Sequence, residues 1–314
     1  MNAMAEPDAI QDSDPAAEFA AELFAAGVLL PTGVPGLPAR SGAFEAVLEA
    51  LEGFITRLGH DEKAEVIRFP PAMSRGGFEA SGYMRGFPQL AGTIHCFCGN
   101  EREHRELLAC IAEGRDWTAG QKATDAVLTP AACYPVYPIL AARGMLPEGG
   151  ATVDVASWCF RHEPSGDPAR MRMFRMREYV RIGAPEAVLA FRRRWLDRAP
   201  EIAGTLGLKA AVDLANDPFF GRAGRLKADS QREQGLKFEL LIPVGNAAKP
   251  TACMSFNYHQ DLFGALCGLT LPDGSTAHTG CVGFGMERLT LALFRRHGLE
   301  ATHWPQAVRQ VLGL

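Results

Sequence analysis

An α+β fold, an antiparallel sheet flanked by helices, is the architecture this sequence predicts, and three observations carry it. Strand-like segments follow one another without a helix between them, as where LKFELLIPV leads to KPTACMSFN, which favours antiparallel pairing over a doubly wound sheet. Helical periodicity is confined to a few segments. No internal repeat or low-complexity linker divides the chain, so residues 18–314 read as one domain, with an inserted helical segment near 185–230.

Residues 1–17 are polar and acidic and are expected to be disordered. Ala17–Ala26 reads as a short helix, and the proline- and glycine-broken VLLPTGVPGLPARSG as a loop. Phe44, Val47, Leu48, Leu51, Phe54 and Ile55 recur at helical spacing, predicting an amphipathic helix over 44–58. EVIRFPPAM then reads as a strand ended by Pro70 and Pro71. Residues 100–115 are helical and charged. VLTPAACYPVYP is a strand running into a rigid turn, and ATVDVASWCFRHE alternates as a strand. Pro185–Leu206 is a second long helix with Val188, Phe191, Trp195 and Ala199 on one face. GCVGFGMERLTLALFRRHG is a glycine-rich strand that turns helical at about Met286.

Bulk properties exclude several classes. Hydrophobic content of 47% and charged content of 22% are those of an ordinary globular protein. The balance of 32 Lys+Arg against 36 Asp+Glu argues against a general nucleic-acid coat. No apolar run approaches the roughly 20 residues of a membrane span. The eight cysteines are scattered, with no CxxC pair. Together with the absence of a signal-peptide pattern, this predicts a reducing, cytoplasmic setting with free or metal-bound thiols.

Against that acidic background, RHEPSGDPARMRMFRMREYVRIG stands out, with six arginines and three acids in 23 residues. A strand delivers Arg161 and Glu163 two residues apart, hence to one face. After the polar turn EPSGDP, the chain returns through RMFRMREYV. The hairpin's inward face is expected to present Arg161, Glu163, Arg175 or Arg177, and Tyr179. Arginine forks bind phosphate oxygens bidentately, an aromatic ring offers a stacking surface, and a glutamate can orient an amino-bearing ring or a metal. The set suits ATP. A second element, GFGMER, has glycines at alternate strand positions, which clear a face for a flat ligand, and then Arg288 at a strand–helix junction.

FRHE…RMREY resembles motif 2, and GFGMER motif 3, of the class II aminoacyl-tRNA synthetases; helix 44–58 with EVIRFPPAM resembles their motif 1, the dimer interface. LTPAACYP sits where these enzymes bind the amino acid, which implicates Ala132, and KFEL…ACMSFNYHQDLFG is similar to the ATP-side strands of seryl-tRNA synthetases. The resemblance implies that Arg161 holds the α-phosphate, Glu163 the adenine amino group and Arg288 the other face of the base or the γ-phosphate. Met176 then lies along the adenine, Tyr179 stacks on it, and Arg170 and Met171 close over the nucleotide. Ala252, Cys253, Met254 and Ser255 line the ATP side. Glu239 becomes the candidate magnesium ligand, because Ala252 stands where an acidic residue is expected.

The zinc-dependent seryl-tRNA synthetases carry Cys, Glu and Cys at the positions of Cys133, Glu178 and Cys281. Such a set leaves a fourth tetrahedral position open, taken in that family by the substrate's amino group. His259, His278 and the Cys96/Cys98 pair are read as structural. Only about 43 residues precede the first matched helix, too few for the tRNA-binding domain of that family. A class II core without it is similar to the amino acid:[carrier protein] ligases. These activate glycine or alanine with ATP and pass the aminoacyl group to the phosphopantetheine thiol of a carrier protein. The resemblance therefore implies zinc, ATP and magnesium, a carrier partner, a homodimer and no tRNA. A tRNA-charging core and a non-catalytic ATP- or amino-acid-binding paralogue are the alternatives. Arg192, Arg193, Arg194 and Arg198, on the helix after the hairpin, are the expected docking site for an acidic carrier.

Overall fold

The structure, a computed structural model, describes residues 14–314. A seven-stranded sheet runs in the spatial order 65–68, 151–160, 173–183, 278–285, 249–260, 237–246 and 211–214. Only Glu65–Arg68 lies parallel to its neighbour; every other pair is antiparallel. A three-stranded sheet, 72–74, 121–128 and 93–97, stands apart from it.

The two faces of the large sheet have different covers. Helices Gly42–Leu58, Pro185–Thr205 and Met286–His297 share a core with Tyr179, Leu240, Met254, Phe256 and Phe284. The turn after residue 128 and helices Val136–Ala142 and Leu262–Cys267 share another with Val153, Val155, Val180, Ile182 and Cys281. The strand period of two sorts neighbours between the covers: Tyr179 and Val282 go to the long helices, Val180 and Cys281 to the opposite side.

The local rules hold over most of the chain. Helix Gly42–Leu58 starts at Ser41, whose hydroxyl accepts from the amide of Phe44. Its buried residues are Phe44, Val47, Leu48, Leu51, Phe54 and Ile55, the predicted stripe. The helix of residues 286–297 begins at Met286, as the sequence suggests.

Four boundaries differ from expectation. Residues 1–13 of the expected disordered tail lie outside the described residues, but Pro15–Ala17 belong to helix Pro15–Ala25, capped by Asp14. EVIRFPPAM is divided between the two sheets as Glu65–Arg68 and Ala72–Ser74, because neither Pro70 nor Pro71 can donate to a ladder. The strand of residues 151–160 stops at Phe160, so Arg161 and Glu163 occupy the turn beyond it; Arg161 N–H still donates to Arg172 C=O, at 2.9 Å. The segment expected to be helical near 185–230 comprises helices Pro185–Thr205 and Gly221–Glu233 with strand Ala211–Leu214 between them.

Candidate active site

A cavity of about 600 Å³ is walled by the hairpin, the glycine strand, the strand of residues 249–260 and the helix of residues 221–233. Its lining contains Arg161, Glu163, Arg170, Met171, Met176, Glu178, Glu239, Ala252, Cys253, Met254, Ser255 and Arg288, together with Cys133 and Cys281. LTPAACYP, the hairpin, the KFEL and ACMSFNYHQDLFG strands and GFGMER thus meet in one space, although Cys133 and Arg288 are more than 140 residues apart in sequence.

The hairpin supplies the arginine end. Arg161 donates through Nε to Pro130 C=O at 3.2 Å, and its guanidinium lies 5.6 Å from the Phe174 ring centroid. Glu163 is paired with Arg170 at 3.1 Å. Arg288 ties the hairpin loop to the adjacent strand, donating to Ala169 C=O and Ala252 C=O, both at 2.9 Å. Space is tight on this wall: a Cβ at Gly283 would press on Ser255 Oγ at 3.0 Å.

The expectation for Tyr179 is corrected. Phe174, Met176 and Glu178 face the cavity, and positions 175, 177 and 179 therefore point to the other side. Each of those three reaches helix Gly42–Leu58. Arg175 pairs with Glu45 at 2.6 Å, Arg177 donates to Glu52 C=O and Thr56 Oγ1, and Tyr179 donates to Ile55 C=O at 3.2 Å. Tyr179 is only 2% exposed, stacked on Trp195 at 5.4 Å and seated over Gly59, where a Cβ would collide with its ring at 2.1 Å. The aromatic ring that this strand places on the cavity wall is Phe174. Ala132 is also corrected: it is buried behind the wall, which its neighbours Ala131 and Cys133 form.

At the other end, the ligand atoms of Cys133, Glu178 and Cys281 lie within 4.8 Å of one another, all three residues buried. Cys133 N–H donates to Glu178 Oε1 at 3.0 Å. The Cys133 thiol is pushed well above its ordinary value, first by its hydrogen bond to Cys281 and then by burial. At Cys281 the bond from Cys133 pulls the value down, but burial and the Glu178 charge push it up and win. Burial likewise raises Glu178. Three acidic groups crowded together and disfavoured as anions are what a bound cation would relieve. Two sulfurs and one carboxylate opening onto a cavity fit zinc with a free position.

His259, read from the sequence as structural, stands at the site. It lines the cavity with Nε2 3.8 Å from Cys281 Sγ. Its ring is kept neutral, burial holding the pKa at about 4. Ser255, Asn257 and His259 line the cavity from one strand, with Tyr258 between the last two lining it as well. Tyr83, Phe87, Tyr134, Phe219 and Phe263 complete an aromatic lining; Tyr134 and Phe263 stand inside LTPAACYP and ACMSFNYHQDLFG, and the other three in no matched segment.

The arginines of helix Pro185–Thr205 do not form a free basic face. Arg192 donates to Gly235 C=O at 2.7 Å and lies over Phe238 and Tyr258. Arg194 pairs with Glu62 at 2.8 Å, and Arg198 stacks on Trp195 while donating to Leu58 C=O. Arg193 is exposed beside Asp197. Helix Gly221–Glu233 is the basic element at the cavity: Lys227, Ser230 and Gln231 line it.

No family model matches the chain. Among known proteins it is 50% identical over 313 residues to amino acid–[acyl-carrier-protein] ligase 1 of Bradyrhizobium diazoefficiens, covering 98% of this chain and 93% of that one. It is 49% identical over 285 residues to ligase 2 of the same organism, covering 90% and 84%. A type-2 serine–tRNA ligase of Methanopyrus kandleri is 30% identical over 194 residues, 58% of this chain but 37% of its own length. Among solved structures, that of A. aeolicus tRNASec in complex with M. kandleri SerRS matches with a TM-score of 0.80 and 20% identity, covering 94% of this chain and 60% of that one. At that identity the match bears on fold alone, and the fold is the class II synthetase core. The near full-length similarity to both ligases shows that the chain belongs to the amino acid–[acyl-carrier-protein] ligase family.

Proposed function

We propose that the protein activates a small amino acid, glycine or alanine, with ATP and transfers it to the phosphopantetheine thiol of a carrier protein. The observation that carries this reading is one cavity lined by Arg161 and Arg288 at one end and by the Cys133, Glu178 and Cys281 donor cluster at the other, in a chain of this ligase family. Arg161 and Arg288 bind the triphosphate, and Glu163, released from Arg170, orients the adenine amino group while Phe174 stacks on the base. A carboxylate oxygen of the amino acid attacks the α-phosphorus and pyrophosphate leaves. Both arginines stabilise charge on the phosphoryl oxygens. The carrier thiol then attacks the acyl carbon and AMP departs, so no protein nucleophile is required. Cys133, Glu178 and Cys281 would hold zinc, which when bound supplies a Lewis-acid site for a free α-amine. Glu239 and Ser255 are cross-strand partners on the cavity wall and are the candidate magnesium site.

Carrier docking is assigned to helix Gly221–Glu233 in place of Arg192, Arg193 and Arg194. Arg222, Arg225, Lys227 and Arg232 carry no ion pair among the described residues, and the exposed Leu226 and Phe220 lie beside them. Carrier proteins of the acyl type are acidic, so this face is complementary to them.

The test is amino-acid-dependent ATP–pyrophosphate exchange, followed by transfer assays offering a phosphopantetheinylated carrier and tRNA separately. Exchange with glycine or alanine and loading of the carrier is the expected result, and Arg161→Ala should abolish exchange. Transfer to tRNA alone, or no exchange with any amino acid, overturns the proposal.

A further inference from the structure

We infer that Asn257 and His259, the latter oriented by Thr279, are positioning residues that hold the Cys281 sulfur by two N–H donors and thereby set the strength of the metal site. The inference rests on the metal reading given above.

Asn257 and Cys281 stand directly opposite each other on neighbouring strands. The Asn257 amide nitrogen donates to Cys281 Sγ at 3.4 Å and to Ser255 Oγ at 3.2 Å. His259 Nε2 approaches the same sulfur from 3.8 Å, and its Nδ1 lies 3.0 Å from Thr279 Oγ1. The tautomer follows from chemistry. If Nδ1 carried the hydrogen, the Nε2 lone pair would face the lone pairs of an anionic sulfur. With Thr279 donating to Nδ1, Nε2 carries the hydrogen and points it at the sulfur. Thr279 is fully buried, so its hydroxyl has no water to prefer. The ring cannot swing away, because Phe263 stands edge-on against it at 5.1 Å and is itself stacked on Tyr137 at 4.3 Å.

His259 is not a fourth ligand. Its nitrogen falls outside the cluster in which the Cys133, Glu178 and Cys281 donor atoms all lie within 4.8 Å of one another, and it approaches Cys281. Donors of this kind fix a ligand's direction and withdraw charge from the thiolate, and losing one commonly costs about 10–100-fold in metal affinity. The inequality is specific to one sulfur. Cys281 receives two nitrogen donors, whereas the Cys133 backbone amide is spent on Glu178.

The experiment is metal competition against a chelator, with zinc and with cobalt(II), on full-length wild type, Asn257→Ala, His259→Phe and Thr279→Val. The expected result is about a 10–100-fold affinity loss in the first two variants and a smaller loss in Thr279→Val. In each cobalt protein the thiolate-to-cobalt charge-transfer band should move to lower energy, since a sulfur relieved of a hydrogen bond donates more readily. Melting of the metal-free proteins separates this from misfolding, and Thr279→Val preserves the ring if His259→Phe does not fold. Unchanged affinity and spectrum in Asn257→Ala and Thr279→Val overturn the inference while leaving the metal reading intact. Loss of a coordinated nitrogen in His259→Phe also overturns it, because the histidine would then be a ligand. A wild type that takes up neither metal overturns the metal reading and this inference together.

Discussion

Phe174 and Tyr179 are five residues apart on one strand, yet they belong to different parts of the molecule. Phe174 lies on the cavity wall beneath Arg161, and Tyr179 is sealed between Trp195 and helix Gly42–Leu58. Base–aromatic stacking is worth roughly 1–3 kcal/mol. Phe174→Ala should therefore raise the KM for ATP in pyrophosphate exchange by about 5–150-fold. Tyr179→Phe should leave that KM unchanged and lower the urea midpoint, by about 1 kcal/mol for the lost bond to Ile55. A raised KM in Tyr179→Leu, which removes the ring itself, would restore the tyrosine to the nucleotide site. At the opposite end, the purified protein should hold about one zinc per chain, and Cys281→Ala should lose metal and exchange together. Metal analysis finding wild-type zinc content in that variant would remove Cys281 from the site. These positions were unequally legible. Arg161, Glu163 and Arg288 stand in recognisable local strings. Tyr179 was misplaced because the string does not state which strand face meets the cavity, although Met176 and Glu178, one face, already implied that residue 179 lies on the other.

Among the elements, helix Gly221–Glu233 is the one whose role the sequence concealed. It is held at the cavity by a tether: Gln231 donates to Asp217 at 2.8 Å, and Lys237 bridges Asp217 at 2.5 Å and Glu239 at 3.0 Å. Burial by itself would raise Asp217, but the Lys237 ammonium and the Gln231 amide outweigh it and hold the carboxyl below its ordinary value. A depressed carboxyl contributes stability above its unfolded-state value and loses it as pH falls through the folded one. The tether should accordingly persist at neutral pH and fail only below about pH 4. Asp217→Asn should speed amide hydrogen exchange in residues 221–233 at pH 7. Unaltered exchange there would mean that packing of Phe219 on Phe87, at 4.8 Å, suffices. For docking, Arg222→Glu with Arg225→Glu should weaken carrier loading in a salt-sensitive way and spare pyrophosphate exchange. Equal loss of both activities would exclude the helix as the docking face. The run Arg192–Arg194 looks more basic in sequence, but the Gly235 carbonyl occupies Arg192 and Glu62 neutralises Arg194, and neither partner is a neighbour along the chain.

For the whole molecule, Glu65–Arg68 closes one edge of the large sheet with Val66 62% exposed. No helix of the described residues is long and apolar enough to cross a membrane. An exposed edge strand with an apolar side chain invites pairing with another chain, and this strand with the helix before it is the segment that resembles a class II dimer interface. The protein is therefore expected to sediment as a two-fold dimer, and Val66→Lys to shift it toward monomer. A stable wild-type monomer at micromolar concentration would contradict this.

By itself the sequence determined what depends on short separations: the 44–58 stripe, the start of the helix at Met286, the halt at Pro70 and the strings that carry Arg161, Glu163 and Arg288. Hydrophobic periodicity and backbone chemistry act within a few residues, so one chain suffices to read them. Tertiary structure alone decided which face of the hairpin meets the cavity, that His259 stands 3.8 Å from Cys281, and which arginines remain unpaired. Those outcomes depend on strand register and on partners 20 to more than 100 residues away. There, burial of one sheet face under helices, and not any local preference, selects the arrangement.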